Sequence, residues 1–426
     1  MKKNAVKGSL GAIALASAMT MSMGTPVFAF SVARPDGYST EIGGTKTTTF
    51  DKYLVMDKQA EVPNASFKYA ITAGTAKAYD VAGKKFAVLA GVDADKVTMA
   101  GVGSATANTI TYKQGDATLN DENALVKDYY KETEKYAKKT ATLDFSACKF
   151  TEPGIYRYIV TESGTNQAVT NDADATRVVD VYVNDDSKEE TNASVDSSRN
   201  GYKLKIVGYV LHSNADDAPD VSLGENHGSA GSYVATKSQG FTNSYDTSDI
   251  FIEKQVSGNQ ASRDKYFEFT VKITDAVPGT VYDVDLSNAD ATTKTNAATI
   301  TANEGKTNPA TLTVGKDGTV SQKFYLAHRQ SITIQGVAKD SKYEVTENAE
   351  DYKSTPANAI NDEDGRGDAT SGTIASEDIR TGYLNTRDGV IPTGVIMTVA
   401  PFAAVTLLGG AGAVTMVMKK KKSEEE

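Results

Sequence analysis

From Thr47 onward, apolar and polar positions alternate with a period of two: Phe67-x-Tyr69-x-Ile71, Tyr156-x-Tyr158-x-Val160, Val179-x-Val181-x-Val183 and Phe267-x-Phe269-x-Val271-x-Ile273. That period belongs to strands with one face on a core and one in water. Half-buried antiparallel strands pack as sandwiches, so the expected fold is all-β. One stretch departs from the pattern. Leu125–Lys139 is densely charged, with Tyr129 and Tyr136 one heptad apart, and is equally compatible with a short helix. The polar, glycine-rich segments Asp185–Asn200, Ser213–Ser232 and Asn361–Asp378 read as loops.

The alternation fails at both ends, where continuous apolar runs take over. Met1-Lys2-Lys3 with Lys7, an apolar stretch from Leu10 to Met23 and the small-residue step Val27-Phe28-Ala29 form a secretory signal peptide, with cleavage expected after Ala29. At the other end, Val395–Met418 is an uncharged run of 24 residues followed by Lys419–Lys422. As a helix it is long enough for a hydrocarbon core of ~30 Å, and the lysines favour a cytoplasmic end. The mature, anchored chain is then Phe30 to Thr393, some 364 residues, enough for two or three domains.

Between these ends the chain repeats itself coarsely. The first copy runs Phe50-Asp51-Lys52, the Phe67-x-Tyr69 strand, Tyr158-Ile159-Val160-Thr161-Glu162 and Phe241-Thr242-Asn243. The second runs Ile252-Glu253-Lys254, Phe267-x-Phe269, Tyr343-Glu344-Val345-Thr346-Glu347 and Tyr383-Leu384-Asn385. The boundary falls between Asn243 and Lys254. The lysine-to-glutamate interval is 110 residues in the first copy and 93 in the second, and the glutamate-to-asparagine interval 81 against 38, so the first copy carries the extra loops.

Composition narrows the function. The whole chain has a net charge of −10; the leader holds three lysines and no acid, the tail after Thr393 four lysines and three glutamates, which leaves the mature part near −14. Nucleic acid is therefore not an expected partner. Cys148 is the sole cysteine, so an exported chain can form no internal disulfide. Its setting, Phe145-Ser146-Ala147-Cys148-Lys149-Phe150, suits a small buried hydrophobe. His212, His227 and His328 are scattered without ligand spacing, and Asp362 and Asp364 lack the closing glutamate of a calcium loop. No metal or cofactor is expected. Arg366-Gly367-Asp368 has the form of an integrin-type tripeptide, but a Gly/Asp-rich loop produces it by chance.

The residues that recur in order, Lys, Glu and Asn, carry a possible chemistry. First and last strands of a sandwich can be neighbours, which would bring the amine beside the carboxamide. Burial drives a lysine towards its neutral, nucleophilic form and a carboxyl towards its protonated form. The acid could then polarise the carboxamide and relay protons while the amine attacks and ammonia leaves. Taken singly, each motif reads more simply as an exposed acid on a strand or a strand running into a turn. Recurrence of three residue types in one order in both halves weakens that simpler reading.

The arrangement resembles the isopeptide-linked domains of Gram-positive major pilins, sortase-assembled backbone subunits. The likeness covers Lys52-Tyr53-Leu54 leading to Pro63-Asn64 and Phe67, Glu152-Pro153-Gly154-Ile155-Tyr156 leading to Glu162, and Phe241-Thr242-Asn243-Ser244 before Lys254-Gln255-Val256-Ser257-Gly258. It implies two tandem immunoglobulin-like (CnaB-type) β-sandwich domains at 30–246 and 247–388, after a signal peptide at 1–29 and before a sorting signal at 389–426. It implies isopeptide bonds from Lys52 to Asn243, assisted by Glu162, and from Lys254 to Asn385, assisted by Glu347. These would be autocatalytic; the protein would be structural and not an enzyme.

Val390, Ile391, Pro392, Thr393 and Gly394, ahead of the apolar run, resemble the cell-wall sorting signal read by sortases. By that resemblance a sortase cysteine attacks the Thr393 carbonyl and cuts Thr393–Gly394. The usual Leu-Pro-x-Thr-Gly is shortened here, as in some streptococcal-type shaft pilins, although those carry an acid or amide where this chain has Val390. Lys237, six residues before Asn243, matches the place of the linking lysine in the most similar subfamily, offset by one residue. The implied partners are a pilus-specific sortase, other copies of the chain, minor tip or base pilins, peptidoglycan and a host surface, and the implied location is the cell wall. The competing readings are a monomeric wall-anchored adhesin with the same domains and, more weakly, a secreted enzyme on a β scaffold.

Overall fold

The computed structural model describes residues 42–81, 84–120, 133–185, 204–219, 238, 240–288, 295–296, 301–302, 306–356 and 367–389. The signal peptide, Lys237 and the sorting signal from Val390 onward lie outside the described residues. The fold is all-β; the one helical element among the described residues is a single 3-10 turn, Ala94–Lys96. The chain divides into two compact units, Met1–Lys58 with Ala65–Tyr245, and Gln59–Asn64 with Asp246–Glu426.

In the first unit the opening strand Thr47–Asp57 pairs antiparallel with Glu134–Asp144 along its whole length and parallel with the closing strand Gly240–Tyr245. A second sheet orders Leu204–His212, Thr176–Asp185, Gly154–Ser163, Ala65–Ala73 and Thr109–Tyr112 as successive neighbours. Alternation decides which side chains enter the space between the sheets: Phe50, Lys52, Leu54 and Met56 from the opening strand, and Tyr156, Tyr158, Val160 and Glu162 from Gly154–Ser163. Phe50, Tyr69 and Phe241 pack together there at ring separations of 5.3–5.7 Å.

The second unit repeats this plan. Thr247–Ser257 lies between Gln330–Ala338, its antiparallel neighbour, and Ile379–Thr386, its parallel one. The other sheet runs Val320–Leu326, Phe267–Thr274, Lys342–Asn348, Ser371–Thr373. Burial along Thr247–Ser257 alternates without a break, with Ser248, Ile250, Ile252, Lys254 and Val256 inside. Ile250, Ile252 and Val256 join one core with Phe267, Phe269, Val271 and Ile273 of the other sheet. Each lysine thus occupies a position that the strand period reserves for an apolar side chain. At the end of the unit, Asn259 grips the outgoing backbone, accepting from Gly389 N at 2.7 Å and donating to Gly389 O at 3.1 Å.

Two expectations need correction. Glu134–Lys139, the later part of the stretch that was compatible with a helix, is strand; residues 121–132 lie outside the described residues. Tyr136 and Ala137 are buried and the strand has a partner over its full length in Thr47–Asp57, so sheet pairing overrides a weak local preference. Within Asn361–Asp378, residues Ser371–Thr373 form a short edge strand on Lys342–Glu344 rather than loop.

Part of the extra length of the first copy is a hairpin, Lys77–Val81 with Lys84–Ala90, which joins the larger sheet beside Ile155–Arg157. Phe86 and Val88 cluster there with Ile155 and Tyr182, with Tyr79 and Ala218 packed against them. Next to this cluster Arg157 forks onto Asp180 with two bonds of 2.7 Å, and His212 Nε2 stands 3.0 Å from Asp180. Burial raises the Asp180 carboxyl, but the hydrogen bonds from Arg157 and His212 outweigh it and hold it below its ordinary value. Cys148 is buried, and desolvation pushes its thiol up to about 11. We expect Asp180→Ala to strand a buried guanidinium and to cost ~3–5 kcal/mol of stability, read as a lowered urea midpoint of the first unit. An unchanged midpoint would show that water reaches Arg157.

Candidate functional site

Strand register brings Lys52, Glu162 and Asn243 together, and Lys254, Glu347 and Asn385 likewise. Lys52 is opposite Phe241 and Leu54 opposite Asn243 in one unit; Lys254 is opposite Tyr383 and Val256 opposite Asn385 in the other. The asparagine therefore follows the lysine by two residues along the neighbouring parallel strand in both cases. The acids also correspond: Glu162 is opposite Tyr69, and Glu347 opposite Phe269, each on the other sheet. Entry of the first closing strand is tight. Gly240 has φ +149°, and a Cβ there would meet the Asp51 carbonyl oxygen at 1.7 Å, so a residue without a side chain is required.

In the first unit the Lys52 ammonium is fully buried. It donates to Glu162 Oε1 at 2.8 Å and to Asn243 Oδ1 at 2.5 Å, and lies 4.1 Å from the Phe67 ring centre. The Tyr69 hydroxyl donates to Glu162 Oε2 at 2.6 Å. The Asn243 carboxamide is held at both ends: its nitrogen donates to Asn171 Oδ1 at 3.1 Å, and its oxygen accepts from Asp172 N at 3.2 Å.

The second unit keeps the three residues and changes their supports. Lys254, also fully buried, is 2.5 Å from Glu347 Oε1 and 4.3 Å from the Phe267 ring centre. Phe269 has no hydroxyl to offer, and Ser354 Oγ takes over, donating to Glu347 Oε2 at 2.9 Å. Asn385 Nδ2 donates to Glu347 Oε1 at 3.3 Å, while Asn385 Oδ1 is buried and accepts no hydrogen bond among the described residues.

Burial is the largest influence on both lysines. It pushes Lys52 down to about 8 against the opposing pull of Glu162 and Asp172, and Lys254 down to about 8 against that of Glu347. A hydrogen-bonded ammonium and carboxylate in an apolar site can exchange their shared proton, giving a neutral amine and a carboxylic acid without exchange with solvent. An amine nucleophile, an acid and a carboxamide in contact are the components of amide exchange.

The sequence reading did not single out four of the supporting residues, Tyr69 as a hydroxyl donor, Asn171, Asp172 and Ser354. Tyr69 was legible as one of the aromatic pair, but Asn171 and Asp172 lie on a connection and Ser354 on the short strand Lys353–Pro356 opposite Asn385, none of them with a periodic signal. Of the tripeptide Arg366-Gly367-Asp368, the described Asp368 carboxylate accepts from Arg380 N at 2.7 Å, so it is engaged within the fold. Among the described residues no group of three or more His, Cys, Asp or Glu is disposed to hold a metal.

The chain is 25% identical to a pilin of Streptococcus pyogenes serotype M1 over 394 residues, covering 89% of this chain and 92% of the pilin. Its likeness to pilins spans nearly the whole chain. Among solved structures it is similar to the major pilin of Streptococcus pyogenes, at 18% identity and a TM-score of 0.47, covering 81% of this chain and 99% of that one. It is also similar to the T3.2 major pilin of the same species, at 19% identity and a TM-score of 0.45, covering 81% of this chain and 100% of that one. A family described as a domain of unknown function, DUF7601, matches residues 248–387.

The nucleophile of an amide exchange is the neutral amine, and burial, which pulls each lysine down to about 8, favours it. Below about pH 8 the ammonium form ties up the lone pair, so exchange at either site would slow as pH falls through that value. In Tyr69→Phe, which removes the 2.6 Å bond to Glu162, ammonia loss followed by intact mass should therefore be faster at about pH 9 than at about pH 7. A rate that does not rise over that interval would show that release of the lysine proton is not limiting.

Proposed function

We propose that the protein is the shaft subunit of a covalently polymerised surface pilus. Two isopeptide bonds, Lys52–Asn243 and Lys254–Asn385, would brace it internally. A sortase would join it through Thr393 to a lysine of the next copy. The observation that carries this reading is the buried Lys–Glu–Asn set found at equivalent register in both units, in a chain whose curated relative is a pilin. Glu162 and Glu347 are the proton carriers of the internal reaction, and the net change is one ammonia lost per bond. An exported chain with one cysteine gains in this way a cross-link that disulfides cannot supply.

For the joint between subunits we assign Lys237 as the attacking amine. Its neighbour Ser238 is anchored, its N–H donating to Leu211 O at 2.8 Å and its hydroxyl accepting from Arg177 Nε at 3.0 Å, so the chain next to Lys237 has a fixed base. Val390, Ile391, Pro392, Thr393 and Gly394 are the sorting motif, the apolar run behind them a temporary membrane hold, and the cell wall the final location. A pilus-specific sortase and further copies of the chain are the partners that this function requires, with tip or base pilins and peptidoglycan at the ends of the polymer.

Cell-wall extract boiled in denaturant and probed for this protein should give a ladder. A single wall-linked species would instead support the monomeric adhesin. Lys237→Ala should collapse the ladder to monomer, and an intact ladder would reassign the linking lysine. The purified protein should weigh two ammonia less than its sequence, and Glu347→Ala should restore one of them. A full sequence mass would refute both bonds.

A further inference from the structure

We propose that the segment Asn171–Asp172 is a catalytic cradle for the Asn243 carboxamide: the Asp172 backbone N–H stabilises the oxyanion that develops on Asn243 Oδ1, and Asn171 orients the departing nitrogen. This rests on the cross-linking reading above and deepens it.

The carboxamide is oriented by complementary partners. A backbone N–H can only donate, so it selects the oxygen of Asn243; a side-chain carbonyl oxygen can only accept, so Asn171 Oδ1 selects the nitrogen. The two contacts together fix which end of the group faces Lys52. The cradle is tied to the strand that it serves. Asp172 Oδ2 accepts from Thr242 N at 2.8 Å and from Arg177 at 2.6 Å. Arg177 in turn donates to Gly240 O at 2.7 Å and lies over the Phe241 ring at 4.7 Å. Any shift of the closing strand therefore carries the N–H with it.

A cavity of about 40 Å³ adjoins the site, lined by Glu162, Ser163, Asn171, Asp172 and Ala175. A molecule the size of water needs roughly 10–15 Å³ of such space, so the cavity can receive ammonia. The second unit has no counterpart among the described residues, since Asn385 Oδ1 accepts no hydrogen bond and Asn385 Nδ2 donates to the glutamate itself.

In the reaction the Lys52 Nζ lone pair forms the bond to Asn243 Cγ, and the carbonyl π pair moves onto Oδ1, facing the Asp172 N–H. The pair returns as the Cγ–Nδ2 bond breaks. The nitrogen leaves as ammonia with the proton given up by Lys52, relayed through Glu162. A donor aimed at developing charge acts most strongly in such a water-poor site.

The test follows pulse-labelled full-length chains by mass spectrometry, quantifying the Lys52–Asn243 and Lys254–Asn385 cross-linked peptides over time. Asp172→Ala keeps the N–H, whereas Asp172→Pro deletes it. The proline variant should form the first bond about 10²-fold more slowly than the alanine variant, the range for loss of one oxyanion donor. The Lys254–Asn385 bond in the same chain should be unaffected. Equal rates for the two variants overturn the proposal. If Asp172→Pro unfolds the first unit, an amide-to-ester replacement at position 172, which deletes only the N–H, decides: a similar slowing supports the cradle and an unchanged rate overturns it. A wild-type chain that forms neither bond overturns the cross-linking reading itself, and the cradle with it.

Discussion

A lysine ammonium with no access to water, held between two sheets, is the constraint on which both units turn. Each sandwich could have placed an aliphatic side chain there, in phase with Ile250, Ile252 and Val256 or with Phe50, Leu54 and Met56. Burying a charge instead forces everything around it. A carboxylate must lie within bonding distance, a further hydroxyl must hold that carboxylate, and aromatic rings must close the site. Tyr69 supplies the hydroxyl in one unit and Ser354 in the other. A buried pair of this kind is costly to assemble and strongly destabilising when one partner is lost. Conversion to a neutral amide would remove that liability permanently, because the product contains no charge to desolvate.

Parallel pairing of the opening and closing strands would give an isopeptide bond between them its reach. Parallel neighbours need a long crossover, and here the crossover is the remainder of each unit. Lys52 and Asn243 are 191 residues apart in sequence, although their side chains touch. A link across a loop of that length removes ~5 kcal/mol of unfolded-state entropy in the chain-closure treatment, comparable to the ~5–15 kcal/mol net stability of a whole domain. Load applied to the two terminal strands would then pass through a covalent bond, and the strands between them would be shielded.

Strand positions were legible in the sequence because their signal is local: Phe267-x-Phe269-x-Val271-x-Ile273 can bury one face only as a strand. The Lys, Glu and Asn sets were legible because they recur in order, and their meeting follows from register. Glu134–Lys139 was not legible, since charge on both faces hid a strand whose identity comes from its partner Thr47–Asp57. Ser371–Thr373 is too short and too exposed to carry a period. Asn171 and Asp172 were invisible for a different reason. They meet Asn243 through a side chain and a backbone N–H on the irregular connection between Val169–Thr170 and Thr176–Asp185, and no spacing rule encodes that placement.

The grip of Asn259 on Gly389 sets a length scale for assembly. Thr393 is four residues beyond the last gripped residue, and at ~3.5 Å per residue an extended chain covers no more than ~14 Å. An amine joined to Thr393 would sit within that distance of the folded edge. In a polymer made through such a joint, the chain between the last anchored residue of one subunit and the bond to the next would be a short tether, leaving little slack on the Thr393 side of every junction.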